Sequence, residues 1–323
     1  MDLLEQQIDI ARKLLKSSEY LKSNHGAFDR IYPFSNENLK GCFDHFDLQE
    51  KDCLTVLGSS DQALDLYLKG ASSVTTFDTN PLTQYYYDLK IAAFLSNLTN
   101  QEYLDFFSCQ NEDGFYLNNI SFSKQVFNNL KQFLTNKESY IFWNTLFQEY
   151  NPLDIRMGGK LFCYQIHDTV LKNTINYLKI ENYKLLQNIS HNIKIDHINC
   201  DINLLPTKIN KNFDFIYLSN IIEYVDSPSS LELFKKIIMD LTNHLKENGI
   251  IVVGYMYTPE NIDTNIEKIF SSKIINSIFY ESEFSYLYFD SIEQIATENF
   301  YHDSFYLKKK NKDRDACLIY VKK

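Results

Sequence analysis

The sequence predicts an α/β protein whose core is a doubly wound, mostly parallel sheet with antiparallel strands at its C-terminal end. Three observations lead there. Short apolar runs that stop abruptly at polar residues alternate with amphipathic helical stretches, the order expected when helices cover a parallel sheet. The last two runs, FSYLYFD and ACLIYVKK, have the aromatic and β-branched content of an antiparallel pair. Hydrophobic residues make up 44% and charged residues 23% of the 323 positions, an ordinary globular balance that provides a sizeable core.

Taken in order, MDLLEQQIDIARKLLK reads as an amphipathic helix with its acidic residues early. It opens an N-terminal helical segment over residues 1–50, ahead of a core over 51–323. CLTVLG (53–58) is a buried strand that ends at a glycine. DQALDLYLKGA follows as a helix with Ala63, Leu64, Tyr67 and Leu68 on one face and a stop at Gly70. SVTTFD (73–78) is a second strand ending in an acidic residue, and NPLTQYYYDLKIAAFLSNL a second helix, with Pro81 placed early where its missing N–H does no harm. From about 99 to 194 the alternation breaks: SKQVFNNLKQFL and ESYIFWNTLFQEY are amphipathic and no clear strand occurs, so this stretch reads as a helical insertion. HNIKIDHINCDI supplies a third strand ending near Asp201, and KNFDFIYLSNII a fourth ending near Ser219. SLELFKKIIMDLTNHLKENG is a helix closed by Gly249, followed by the strand IIVVGYM.

Composition excludes several functions. A net charge of -10 repels nucleic acid. The one basic cluster, Lys308, Lys309, Lys310, Lys312 and Arg314, lies between the last two strands and reads as a solvated hairpin tip. No apolar run approaches the roughly 18 residues of a transmembrane span, and the N-terminus lacks a signal sequence, so a cytoplasmic setting is expected. Six cysteines without a C-x-x-C spacing agree with that, and Cys53, Cys163 and Cys317 sit in apolar runs as buried free thiols would. The seven histidines show no metal spacing, with His25, His45 and His167 far apart, so no metal is expected. A G-x-S-x-G elbow is absent, and Ser59 and Ser60 have no nearby histidine to activate them as nucleophiles.

In doubly wound sheets ligands sit beyond the carboxyl ends of the strands, which points to residues 58–62, 78–80, 200–202 and 219–224. Gly58, Ser59, Ser60, Asp61 and Gln62 join a strand to a helix N-terminus, where free N–H groups favour a carboxylate such as the amino-acid tail of S-adenosylmethionine. The alternative is that Asp61 simply caps its helix. Without G-x-G-x-x-G, a dinucleotide is less well served than an adenosyl ligand. Asp78 ends the second strand where a carboxylate accepts both ribose hydroxyls, with Thr79 and Asn80 beside it. Asp201 and Ile202 either meet the adenine amino group or form a turn. Ser219 and Asn220 follow the fourth strand, next to the position for the sulfonium; Asn220, Glu223 and Tyr224 are candidates to orient or deprotonate a nucleophile, Tyr224 being equally suited to packing.

Gly58-Ser59-Ser60-Asp61-Gln62-Ala63-Leu64-Asp65, Phe77-Asp78-Thr79-Asn80-Pro81 and Leu89-Lys90-Ile91-Ala92-Ala93 together resemble the 3-amino-3-carboxypropyltransferase family of betaine-lipid synthesis. That family's pattern reads S-A-G-D-N-A-L-D, V-D-x-N-P and L-K-x-A-A. The resemblance implies a Rossmann-like fold of the class I S-adenosylmethionine-dependent methyltransferase kind. It also implies transfer of the aminocarboxypropyl group rather than the methyl, leaving methylthioadenosine. Ser60 stands where the family has glycine, a substitution that matters if the position needs φ > 0. The residues after the fourth strand depart from the family, and Arg30–Asn38 is loosely similar to its lid segment, which would place Tyr32 and Glu37 near the ligand. Ser35 as a helix cap serves that stretch equally well.

Three functions follow for comparison: aminocarboxypropyl transfer to a small-molecule, lipid or peptide acceptor; methyl transfer releasing S-adenosylhomocysteine; and a non-catalytic protein that keeps the fold. Phe142, Trp143 and Phe147 in the insertion either wall off the acceptor or pack a core.

Overall fold

The computed structural model of the chain describes residues 3–16, 31–108, 123–156, 161–162, 168–221, 228–257, 284–292, 295 and 314–323. The apolar runs become strands β1 (Asp52–Val56), β2 (Ser73–Asp78), β3 (Ile195–Asn199), β4 (Phe213–Tyr217), β5 (Leu245–Tyr257), β6 (Phe284–Asp290) and β7 (Arg314–Val321). Among the amphipathic stretches, α1 (Leu3–Lys16), α2 (Leu39–Phe43), α3 (Asp61–Leu68) and α4 (Leu82–Leu95) precede the insertion. The insertion holds α5 (Asn100–Phe107), α6 (Lys124–Leu130), α7 (Lys137–Glu149), α8 (Pro152–Arg156), α9 (Asp168–Thr174) and α10 (Ile180–Ile189), with no strand among its described residues. Among the described residues, α11 (Leu205–Lys208) and α12 (Pro228–Thr242) follow it.

All seven strands form one sheet in the order β3-β2-β1-β4-β5-β7-β6. β1 pairs in parallel with β2 and β4, and β4 with β5; β7 is antiparallel to β5 and β6. This is the doubly wound α/β architecture the sequence predicts, with its antiparallel pair at one edge. The order reverses between β1 and β4, the switch point at whose strand ends such sheets bind ligands.

Two compact units divide the chain: Met1–Asn36, Leu57–Leu68 and Asp78–Ile193 in one, Glu37–Val56, Lys69–Phe77 and Lys194–Lys323 in the other. In the second, Phe234, Ile237, Ile238 and Leu241 of α12 bury one face of the sheet with Leu54, Ile216, Ile251 and Val253. On the opposite pleat, Phe43 of α2 meets Phe215 and Tyr217 edge-on, with ring centroids 6.1 and 4.9 Å away. At the start of the strands Lys246 bridges Asp52 and Asp214 at 2.6 and 2.7 Å.

The helix expected to run to Gly249 ends instead at Thr242. Leu245 already pairs with Phe213 and a register shift follows; Asn248 donates its N–H to the carbonyl of Lys322, just past β7, and Lys322 donates back to the Gly249 carbonyl. Ladder pairing with two neighbours overrides the helical pattern of NHLKENG, and Asn248 takes a left-handed φ of 61° to make the turn.

The first unit is helical. α4 is buried nearly all round, and α7 packs on it: Trp143 donates to the Tyr85 carbonyl at 2.7 Å, and Phe142 stacks on Tyr85 at 4.4 Å. Phe127 and Phe147 stack at 4.0 Å. Phe142, Trp143 and Phe147 are therefore core residues and not an acceptor wall. α1 is held to α7 by Arg12, whose guanidinium grips Glu149 at 2.9 and 2.5 Å. Cys42, Cys53, Cys200 and Cys317 are buried free thiols; Cys163 lies outside the described residues.

Candidate functional site

In the helical unit the chain turns through Leu57–Ser60 before α3. Gly58 has φ 49° and Ser60 φ 76°, so two of four residues are left-handed, and the Ser60 N–H closes the turn on the Leu57 carbonyl at 2.6 Å. Ser60 thus does occupy a position that favours glycine, at a cost of about 1–2 kcal/mol. Its side chain is fully buried and its Oγ has no hydrogen-bond partner.

Asp78, the last residue of β2, meets this loop. One carboxylate oxygen accepts the Gly58 N–H and the other the Asn80 N–H, both at 2.9 Å. Asn80 then turns the chain into α4 by accepting the Leu82 N–H at 3.0 Å. Desolvation pushes Asp78 up to about 6 against these donors and the Thr83 hydroxyl, which pull it down. The residue as a whole stays half-buried, so water moderates the shift.

Asp61 is neither a simple helix cap nor exposed. Its carboxylate lies fully buried at the centre of a network. One oxygen receives Lys90 Nζ at 2.5 Å and the Tyr177 hydroxyl at 2.6 Å. The other receives the Ser35 N–H at 2.6 Å and Ser59 Oγ at 2.9 Å. Lys90 also donates to the Ser59 carbonyl at 2.8 Å, and its ammonium lies 4.6 Å from the Phe34 ring centre and 5.0 Å from that of Tyr86. Burial pulls the Lys90 ammonium down, while Asp61 supports its charge. One helical turn on, Asp65 accepts the backbone N–H groups of Asn176 and Tyr177 at 2.9 and 3.0 Å. The face of α3 expected to carry Tyr67 and Leu68 is only half-buried there; Asp61–Leu66 are buried instead.

A separate polar cluster belongs to the sheet unit. Glu37 is buried and accepts from Ser219 Oγ at 2.6 Å and the Tyr217 hydroxyl at 3.1 Å. Ser219 follows β4 with a left-handed φ of 55°, and its Oγ lies 3.3 Å from Asn220 Oδ1. Non-glycine strain thus occurs after β1 and again after β4, the two strands that flank the switch point.

The remaining predicted residues are scattered. Asp201 is exposed and accepts the Asn203 N–H at 2.8 Å, which is turn geometry, and Ile202 packs on the sheet core. Tyr32 and Thr79 are half-buried. Glu223 and Tyr224 lie outside the described residues. Sequence reasoning missed Lys90, Tyr177 and Tyr217 as members of these clusters; a lysine on an otherwise apolar helix was the available signal. Among the described residues no group of three His, Cys, Asp or Glu is arranged to hold a metal, and no helix is long and apolar enough to cross a membrane.

No protein-family model matches the chain, and no curated protein matches it in sequence. Three solved structures align with the chain at low identity. TehB from Haemophilus influenzae is 13% identical over 84% of this chain, which spans 58% of that one, with a TM-score of 0.34. The N-methyltransferase NodS from Bradyrhizobium japonicum, solved with S-adenosyl-L-homocysteine, is 6% identical, with 98% of each chain covered and a TM-score of 0.39. YjhP from E. coli is 9% identical over 96% of this chain and 98% of its own, at 0.37.

Proposed function

We propose that the protein binds S-adenosylmethionine and transfers its 3-amino-3-carboxypropyl group to a small-molecule, lipid or peptide acceptor. The observation that carries the reading is the bond from Gly58 N–H to Asp78. It joins the first loop to the acidic end of β2, the two segments an adenosyl ligand with an amino-acid tail requires. The residues present fit such a ligand. Gly58, Asp78 and Thr79 keep exposed surface, whereas Ser59, Ser60, Asp61 and Gln62 are closed in and shape the loop.

In this reading Asp78 exchanges its backbone donors for the ribose hydroxyls, which frees the Gly58 N–H for the ligand's carboxylate, while Ser59, Ser60, Asp61 and Gln62 hold the loop in shape. Asn80 fixes the turn that carries Asp78. Asn220, Glu223 and Tyr224 are the candidates to align the acceptor and take its proton. When bound, the sulfonium supplies an activated leaving group, so attack on the γ-carbon breaks the carbon–sulfur bond and releases neutral methylthioadenosine.

Incubating the protein with S-adenosylmethionine and a panel of amine, hydroxyl and lipid acceptors, then separating the nucleoside products, tests the transfer. Methylthioadenosine above the uncatalysed background supports it. S-adenosylhomocysteine would reassign the same site to methyl transfer. Binding without either product would favour a non-catalytic role.

A further inference from the structure

Asp61 and Lys90 have no part in the chemistry proposed above, yet both are completely buried. A buried ion pair is weak evidence for stability, because the desolvation of two charges offsets most of their attraction. What this pair does supply is geometry. Ser59 is gripped twice, its carbonyl by Lys90 and its hydroxyl by Asp61, immediately before Ser60 at φ 76°. Asp61 also takes the Tyr177 hydroxyl and the Ser35 N–H, and Asp65 takes the Asn176 and Tyr177 N–H groups. The loop, the chain before α2 and the 176–177 segment of the insertion therefore converge on one turn of α3.

We propose that Asp61 and Lys90 are positioning residues: they hold the loop after β1 in its strained, ligand-receiving shape and fasten the helical insertion to it. The identity of the ligand rests on the function proposed above; the grip on the loop does not. Because one hub fixes both segments, a ligand that tightens the loop also orders the insertion, and disorder in the insertion weakens the ligand by the same factor.

The test is the neutral double variant Asp61→Asn with Lys90→Met, which removes the pair without leaving a lone buried charge. Hydrogen exchange without ligand should show the amides of residues 57–62 and 176–177 exchanging at least about tenfold faster than in wild type, beyond any change in the rest of the helical unit. S-adenosylmethionine should bind about tenfold more weakly even where the melting temperature matches wild type. Uniform exchange changes that follow global stability, with unchanged affinity, would overturn the proposal and leave the pair a structural filler. Should the double variant fail to fold, Tyr177→Phe keeps the ring and deletes one donor to Asp61. The amides of 59–62 should then exchange roughly two- to tenfold faster, and no change would overturn the proposal. A wild-type protein that binds no S-adenosylmethionine refutes the ligand assignment, while the exchange comparison still decides the grip.

Discussion

Replacing Ser60 by glycine is expected to make the protein more stable and a poorer binder of S-adenosylmethionine. Left-handed backbone at a non-glycine residue costs about 1–2 kcal/mol, and glycine removes that cost. The Ser60 hydroxyl is buried without a partner, and its deletion returns about a further 1 kcal/mol. Against these stands the larger backbone entropy of glycine in the unfolded chain, roughly 0.5–1 kcal/mol. The net gain is about 1–2 kcal/mol. Trp143, the one tryptophan of the chain, is buried in the same helical unit as Ser60, so its fluorescence in a urea titration reports on the unit that contains the change. The midpoint should rise, while affinity falls because a relaxed loop no longer holds its N–H groups in one arrangement. A midpoint that stays put or drops would refute the strain argument. A higher midpoint with unchanged affinity would separate the strain from ligand binding.

Glu37→Ala leaves the Tyr217 and Ser219 hydroxyls without their shared acceptor and should destabilise the sheet unit by about 2–3 kcal/mol, read as a lower thermal midpoint. Lys90→Met alone strands the Asp61 carboxylate in the core and should cost about 3–5 kcal/mol, far more than the neutral double variant, in the same measurement. Asp78 sits near 6 when folded against about 4 unfolded, so it binds its proton more tightly in the fold. Its contribution to stability is therefore present below about pH 4 and lost as pH rises through about 6, and Asp78→Asn should flatten that part of the stability profile. Cys42, Cys53, Cys200 and Cys317 should resist alkylation at pH 8 until the chain is unfolded, the Cys53 thiol being pushed up to about 12 by burial; peptide-resolved mass spectrometry reads this directly.

The parallel strands were legible because short apolar runs closed by polar residues announce them: SVTTFD spans the expected residues and ends at Asp78, whereas the first strand runs Asp52–Val56 and stops two residues before Gly58. The antiparallel pair was equally plain from FSYLYFD and ACLIYVKK. Less visible was the boundary near Gly249, where pairing of Leu245 and Asn248 with distant residues, and not local propensity, decides the structure. The same holds for Asp61. Its spacing to Ser59 was in the sequence, but its partners Ser35, Lys90 and Tyr177 lie 26, 29 and 116 positions away, and no periodicity reports contacts of that range. Lys90 was the one available hint, a charge on a helix buried on nearly every side, but only the fold supplies the carboxylate it meets.

The most direct measurement is calorimetric titration of S-adenosylmethionine into the wild-type protein and into Asp78→Ala at pH 7.5. Loss of charge-assisted bonds worth about 1.5–3 kcal/mol predicts saturable binding to the wild type that weakens roughly ten- to a hundredfold in the variant. A wild type that takes up no S-adenosylmethionine, or a variant that binds as tightly, would contradict the assignment of Gly58 and Asp78 as its site.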